Sequence, residues 1–225
     1  MQPPTISLRL ATEADQPFLR RLFHECRFDE FAALGNETAT RLLASQFEIQ
    51  DRSYRARFDV GGSNIITVDD LPVGRIWVHC DQTEWLLVDL AILPENRNTG
   101  LGTIFVQDLI AQAQQNDATV RLEVRADNIG AQRLYFRHGF MIETAAETVL
   151  HLVHRPPAQR AARFEAFRRR VLADPALFAE LSAVTRGGFA EAVVDVARRL
   201  GEDIDVVDVS TAQREARRIW TMQWV

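Results

Sequence analysis

Between Asp89 and Thr103 the chain passes from an apolar strand through Pro94-Glu95-Asn96 into Arg97-Asn98-Thr99-Gly100-Leu101-Gly102-Thr103, and then into an apolar helix. Two glycines at a helix start leave backbone N–H groups uncovered at the positive end of the helix dipole, which suits an anion such as a pyrophosphate. Arg97 adds a charged donor. The same glycines also suit a tight turn with no ligand, and the segment lacks both the Walker pattern and the spaced Gly-x-Gly-x-x-Gly of dinucleotide folds. Upstream, Asp89 is the one acid in the run Leu86 to Ile92. Burial there would raise its pKa and make it a proton acceptor near neutral pH; alternatively it is a hydrogen-bonded strand carboxylate. His79 falls on the same strand face as Trp77, a position that more often packs than reacts. His138, His151 and His154 have no ligand spacing, and Cys26 and Cys80 read as ordinary buried thiols, so no metal is expected.

The elements that must position these residues follow from periodicity. Ile6, Leu8 and Leu10 alternate as a strand, and Thr12 to Asp15 start a helix bearing Phe18, Leu19 and Leu22. A second helical stretch covers Ala39 to Phe47. Strands are predicted over Asn64 to Val68, Val73 to Cys80 and Glu84 to Leu93, with turn signals between them, which makes an antiparallel meander. Helix, strand and helix follow over Leu101 to Gln115, Thr119 to Val124 and Ile129 to Arg137, then strands over Met141 to Thr144 and Thr148 to Val153. That order specifies an α+β fold around a mixed, mostly antiparallel sheet of six or seven strands flanked by helices. After Arg155-Pro156-Pro157 only helical periodicity remains, and the acidic surplus of the first part gives way to near balance. Two domains are therefore expected, residues 1-155 and a small all-α bundle over residues 156-225.

Composition bounds the function. The 225 residues carry a formal net charge of −5 and are 47% hydrophobic, which excludes a disordered or collagen-like chain. No run approaches the roughly 20 apolar residues of a membrane span, and Met1-Gln2-Pro3-Pro4 lacks the basic and apolar stretches of a secretory signal; a cytoplasmic protein without a membrane partner is expected. All 26 basic residues are arginine. The negative balance argues against a nucleic-acid partner, and Arg168-Arg169-Arg170 reads as a solvated helix face.

Downstream of the glycine loop come Leu122-Glu123-Val124-Arg125-Ala126-Asp127-Asn128, then Ala131, Leu134, Tyr135, Phe136 and Gly139-Phe140. With Arg97, Gly100 and Gly102, these residues resemble the GNAT superfamily of acyl-CoA-dependent N-acyltransferases, whose pyrophosphate loop reads Arg/Gln-x-x-Gly-x-Gly/Ala. The resemblance covers most of residues 5 to 154 and is strongest from Asp89 to Phe140, where it is similar to the ribosomal-protein-alanine N-acetyltransferase branch. It implies acetyl-CoA or another acyl-CoA as co-substrate. Leu90, Ala91 and Ile92 would present backbone groups to the pantetheine arm at a splay between the fourth and fifth strands, and Asn98, Thr99, Gly100, Leu101, Gly102 and Thr103 would hold the pyrophosphate. Asn128 matches a cofactor-contacting asparagine, and Tyr135 matches the tyrosine that protonates the leaving thiolate. A phenol, with a pKa near 10, stays protonated at neutral pH and suits that task. For the proton of the attacking amine the resemblance favours Glu123, with Asp89 as the rival.

The acceptor implied is a small-molecule or peptide amine. Phe23, Phe28, Phe31, Trp77 and Trp85 are candidates for an acceptor groove or an acyl pocket, and equally for core. The helical tail, from Phe167 through Leu172-Ala173-Asp174-Pro175-Ala176-Leu177 to Arg198-Arg199-Leu200-Gly201, resembles more loosely the leader-peptide domain of nitrogen-fixation and nitrile-hydratase-like families. A capping bundle or a homodimer contact is the other reading. The catalytic reading stands against an inactive GNAT-like scaffold for peptide-modifying machinery.

Overall fold

The computed structural model describes residues 4–58, 60–184 and 188–222. The chain divides into two compact units, Met1–His154 and Arg155–Val225.

The first unit runs β1 (Ile6–Leu10), α1 (Gln16–Phe31), α2 (Asn36–Arg57), β2 (Ser63–Val68), β3 (Leu71–Cys80), β4 (Glu84–Ile92), α3 (Leu101–Gln115), β5 (Thr119–Arg125), α4 (Ile129–Arg137), β6 (Met141–Ala145) and β7 (Val149–His154). The strands form one seven-stranded sheet in the order β1-β2-β3-β4-β5-β7-β6. Every pairing is antiparallel except β4 with β5, which is parallel and is crossed over by α3. This is the expected mixed α+β sheet.

Alternation along the strands builds two apolar layers. On one face Ile66, Ile76, Leu87, Leu122 and Leu152 pack with Leu101, Phe105, Val106 and Leu109 of α3. Ile65, one residue from Ile66 and so on the opposite face, joins Leu19 and Leu22 of α1 and Leu43 and Phe47 of α2. Phe23 and Trp77 are buried, and Phe28, Phe31 and Trp85 pack against these clusters, so the aromatic residues weighed as a groove belong largely to the core. Cys80 is exposed rather than buried.

α2 is much longer than the sequence pattern indicated. Its second half, Glu48 to Arg57, is almost wholly polar, so no apolar stripe marks it as helix. The residues it turns toward the sheet are Asp51 and Tyr54, and their partners there are themselves polar or aromatic.

At the start of α1, Arg9 Nη1 and Nη2 donate to the two oxygens of Asp15 at 2.8 and 2.5 Å. The Thr12 N–H and hydroxyl also donate to Asp15 Oδ2. These bonds favour the charged form, Arg9 most of all, and hold the Asp15 carboxyl well below the usual carboxylate range.

The second unit contains α5 (Pro157–Ala173), α6 (Pro175–Ser182), α7 (Phe189–Arg199) and α8 (Val206–Met222). Phe167, Val171, Leu181, Val193, Val196 and Val209 form its own core. Asp174 caps α6 by accepting from the N–H groups of Ala176 and Leu177, and Pro175 takes the first helical turn. Arg168 pairs with Glu165 and Arg170 with Glu202, as expected for a solvated basic face. The pair Gly187-Gly188 predicts a helix break before Phe189, and Gly187 lies outside the described residues.

Asp15→Asn is expected to destabilise the protein by about 1–2 kcal/mol at pH 7, in urea titrations. Because the folded pKa is depressed, the contribution of Asp15 is full above about pH 4 and is lost as the pH falls through the folded value. The gap between wild type and Asp15→Asn should therefore narrow in acid.

Candidate active site

The parallel ladder between β4 and β5 is short. It runs from Glu84↔Thr119 to Leu87↔Leu122, yet β4 continues to Ile92 and β5 to Arg125. The β3–β4 register shifts at the same level, with Trp77 opposite Asp89 and Val78 opposite Leu87, so Val88 is an extra residue in β4. Such a bulge adds local twist and turns the strand away from its neighbour. Beyond it, Leu90, Ala91 and Ile92 stay paired with β3 on one edge only. Their other edge presents backbone N–H and C=O groups to the gap beside β5.

β4 leads directly into the glycine loop. Pro94–Asn96 make one 3₁₀ turn, and Arg97 bends back so that its Nε donates to the carbonyl of Ile92 at 3.1 Å. The Cys26 thiol donates to the same oxygen, and burial raises that thiol's pKa. Thr99 Oγ1 donates to Asn96 O. Asn98 and Gly100 both adopt positive φ, +60° and +93°, and Gly100 is the N-cap of α3. The N–H groups of Leu101, Gly102 and Thr103 thus open the helix. A Cβ on Gly100 would meet nothing within 4 Å, so this side of the loop is open. A Cβ on Gly102 would sit 3.1 Å from Leu134 Cδ2, and the glycine thereby lets α4 approach α3.

Asn128 caps α4, its side-chain oxygen accepting from the N–H of Ala131 at 3.1 Å. Further along α4, Tyr135 is 7% exposed and meets Phe140 edge to face with centroids 5.5 Å apart. Burial first, and the Asp89 carboxylate second, push its phenol above the usual value of about 10.

Asp89 is not the solitary carboxylate that its apolar strand suggested. Arg75 Nε donates to its Oδ2 at 2.8 Å, and Nη2 pairs with the same oxygen at 2.6 Å. The Arg75 guanidinium is 6% exposed, lies over Trp77 at 5.6 Å from the ring centre, and reaches to 4.0 Å from Asp51 of α2. Tyr54, also on α2, packs edge to face on Trp77 and accepts a hydrogen bond from Gln50 Nε2 at 3.0 Å. Burial raises its pKa, and Asp89 and, more weakly, Glu123 add to that effect while Gln50 and Arg75 oppose it. Glu123 itself is largely exposed on β5, 3.6 Å from His151 Nδ1. His79 packs on Phe58. Asp89 and the backbone of Leu90–Ile92 thus lie together along β4, with Glu123 exposed on β5, while Tyr135 is buried on α4 against Phe140.

Sequence reasoning missed Tyr54, Arg75 and Gln50. One signal was available: Arg75 and Asp89 are isolated opposite charges in neighbouring apolar strands of one meander, and such charges survive burial by pairing. Among the described residues no group of three or more His, Cys, Asp or Glu is placed to hold a metal ion, and no helix is long and apolar enough to cross a membrane.

A sequence model of the acetyltransferase (GNAT) family matches residues 14–140, more than half of the chain. The chain belongs to the GNAT family. Among solved structures it is similar to the PaiA N-acetyltransferase of Thermoplasma acidophilum in complex with coenzyme A, with a TM-score of 0.53 and 15% identity over 67% of this chain and 99% of that one. An acetyltransferase from Thermus thermophilus gives a TM-score of 0.50 and 21% identity over 67% and 97%. At these identities the likeness is one of fold. The ribosomal-protein-S18-alanine N-acetyltransferase of Escherichia coli gives only 0.47 at 18% identity, over 67% and 94%, which says nothing of the acceptor. Comparison with curated proteins returns no match.

Gly100→Ala tests the geometry of this GNAT loop. No neighbour opposes a Cβ there, so the cost is the left-handed backbone alone, about 1 kcal/mol in a urea titration.

Proposed function

We propose that this GNAT protein transfers an acetyl or longer acyl group from acyl-CoA to a primary amine, with both substrates bound together and no covalent enzyme intermediate. The observation that carries this reading is the free edge of β4 ending at the N-terminus of α3. The residues fit the ligand: an extended amide-bearing arm can pair with Leu90–Ile92 as an extra strand would, and a pyrophosphate can accept from the N–H groups of Leu101, Gly102 and Thr103. Open space at Gly100 leaves room for the phosphates. The PaiA structure's coenzyme A supports the same ligand.

Acyl-CoA supplies an activated thioester. The amine arrives as an ammonium and gives one proton to a carboxylate, Glu123 or Asp89, directly or through water. Its nitrogen lone pair then attacks the thioester carbon, and β4 amides meet the charge that develops on the carbonyl oxygen. As the C–S bond breaks, Tyr135 gives its proton to the departing sulfur, while the second proton of the acylated nitrogen leaves through water and the Tyr135 phenol is reprotonated, so that one proton is released to solvent per turnover. Burial suits Tyr135 to this task, because a phenol held above pKa 10 remains protonated throughout the physiological range. Holding both reactants in one cleft supplies much of the rate.

For the acceptor we favour a peptide or peptide-like amine, resting on the leader-like sequence of the helical unit. That unit has its own core, consistent with a separate peptide-binding task.

Tyr135→Phe is expected to lower kcat roughly 100-fold while leaving the affinity for acetyl-CoA within about twofold, as expected for loss of a general acid. Unchanged kcat would remove Tyr135 from the mechanism. Parallel loss of cofactor affinity would make it a packing residue instead.

A further inference from the structure

If acyl-CoA lies along the free edge of β4, Asp89 in β4 itself and Tyr54, which packs on the Trp77 opposite it, stand beside that edge on the α2 side. Asp89 lies opposite Trp77 in the β3–β4 ladder, beside the level where β4 and β5 part. Arg75 Nε and Nη2 both approach Oδ2, and among the described residues no hydrogen bond is made to Oδ1. Gln50 Nε2 donates to Tyr54 Oη, so the phenol's own hydrogen is not used in that bond, and the oxygen keeps a second lone pair. Trp77, 2% exposed, fixes the Tyr54 ring from below.

From Tyr54 a row of half-buried rings runs along the same face. Phe58 meets Tyr54 at 6.0 Å between centroids, and His79 meets Phe58 at 5.5 Å. Arg57 lies over the Phe58 ring at 5.1 Å and braces it. His79 pairs with Leu86, next to Leu87 where the β4–β5 ladder ends. The ring row therefore extends from the level of Asp89 alongside the last paired rungs of β4 and β5.

We propose that Tyr54 and the Arg75-held Asp89 form the acceptor's ammonium subsite, and that the Tyr54–Phe58–His79 row selects amines bearing a flat apolar group a few bonds from the nitrogen. This rests on the acyltransferase reading above and narrows its acceptor to amines, a peptide N-terminus with an aromatic first residue included, that carry such a group. The chemistry of the subsite matches: a carboxylate oxygen and a phenol oxygen accept from the N–H donors of a cation, and the aromatic row covers apolar surface that water would otherwise solvate. Arg75 is a positioning residue here, since it acts by fixing Asp89.

The test is calorimetry on the full chain saturated with coenzyme A, using phenethylamine as probe, 2-phenylethanol as its uncharged analogue and ethylamine as its ring-less analogue. Phenethylamine is expected to bind saturably, with both analogues at least tenfold weaker. Tyr54→Phe should weaken phenethylamine about tenfold with unchanged coenzyme A affinity, and Phe58→Ala should narrow the gap between phenethylamine and ethylamine. Tyr54→Phe keeps the ring and its packing, so its stability should match wild type even if Asp89→Asn, which strands a buried arginine, fails to fold. Equal binding of phenethylamine and 2-phenylethanol, no effect of Tyr54→Phe, or no amine binding to a coenzyme A-saturated protein would each overturn the proposal while leaving the acyl-CoA reading intact. Failure to bind coenzyme A at all would overturn both.

Discussion

Where β4 and β5 part, backbone groups that a sheet normally consumes are left without a strand partner. Main-chain N–H and C=O groups in a protein interior are almost always paired, so such an edge is stable only where water or a ligand can complete it. Much else in the first unit serves this opening. The extra residue at Val88 turns β4 away, while β3 on its other side keeps the strand straight enough to present Leu90 to Ile92. α3 begins where β4 ends, and its first N–H groups continue the line of donors. Gly102 lets α4, which carries Tyr135, come close to the start of α3.

The opening also separates two chemical environments. On the α3 side the sheet is apolar, and Tyr135 is buried there with Phe140, which keeps a proton on its oxygen. On the α2 side the same strands carry Arg75, Asp89 and Glu123, the charged groups that the proposed mechanism assigns to the amine. Arg75 reconciles the two. A carboxylate this close to an apolar core would be costly alone, and the buried guanidinium offsets that cost while holding the carboxylate in one place.

Most of the fold was legible because its elements carry strong periodicity. Strand alternation from Ile6 through Val153 and the helical stripe of Leu101, Phe105, Val106 and Leu109 each point to one face, and the sheet follows. The turn into α3 was legible as well, since Gly100 supplies the positive φ that ends the loop and caps an apolar helix. The second half of α2 was not. Its facing residues, Asp51 and Tyr54, meet an arginine and a tryptophan rather than an apolar patch, so the helix has no hydrophobic signature where it borders the site. The same polarity hid Tyr54 and Arg75 from a reading that looked for motifs. Asp89 was visible as a residue, but its partner, fourteen positions upstream, becomes evident only once β3 and β4 are set in register.

The central claim is that the free edge of β4 and the first turn of α3 together receive acyl-CoA, and amide hydrogen exchange with and without acetyl-CoA tests it most directly. The account predicts that exchange slows at the amides of Leu90–Ile92 and of Leu101–Thr103, with little change in α5 to α8. Unchanged exchange in both segments at saturating acetyl-CoA, or protection confined to other elements, would contradict it.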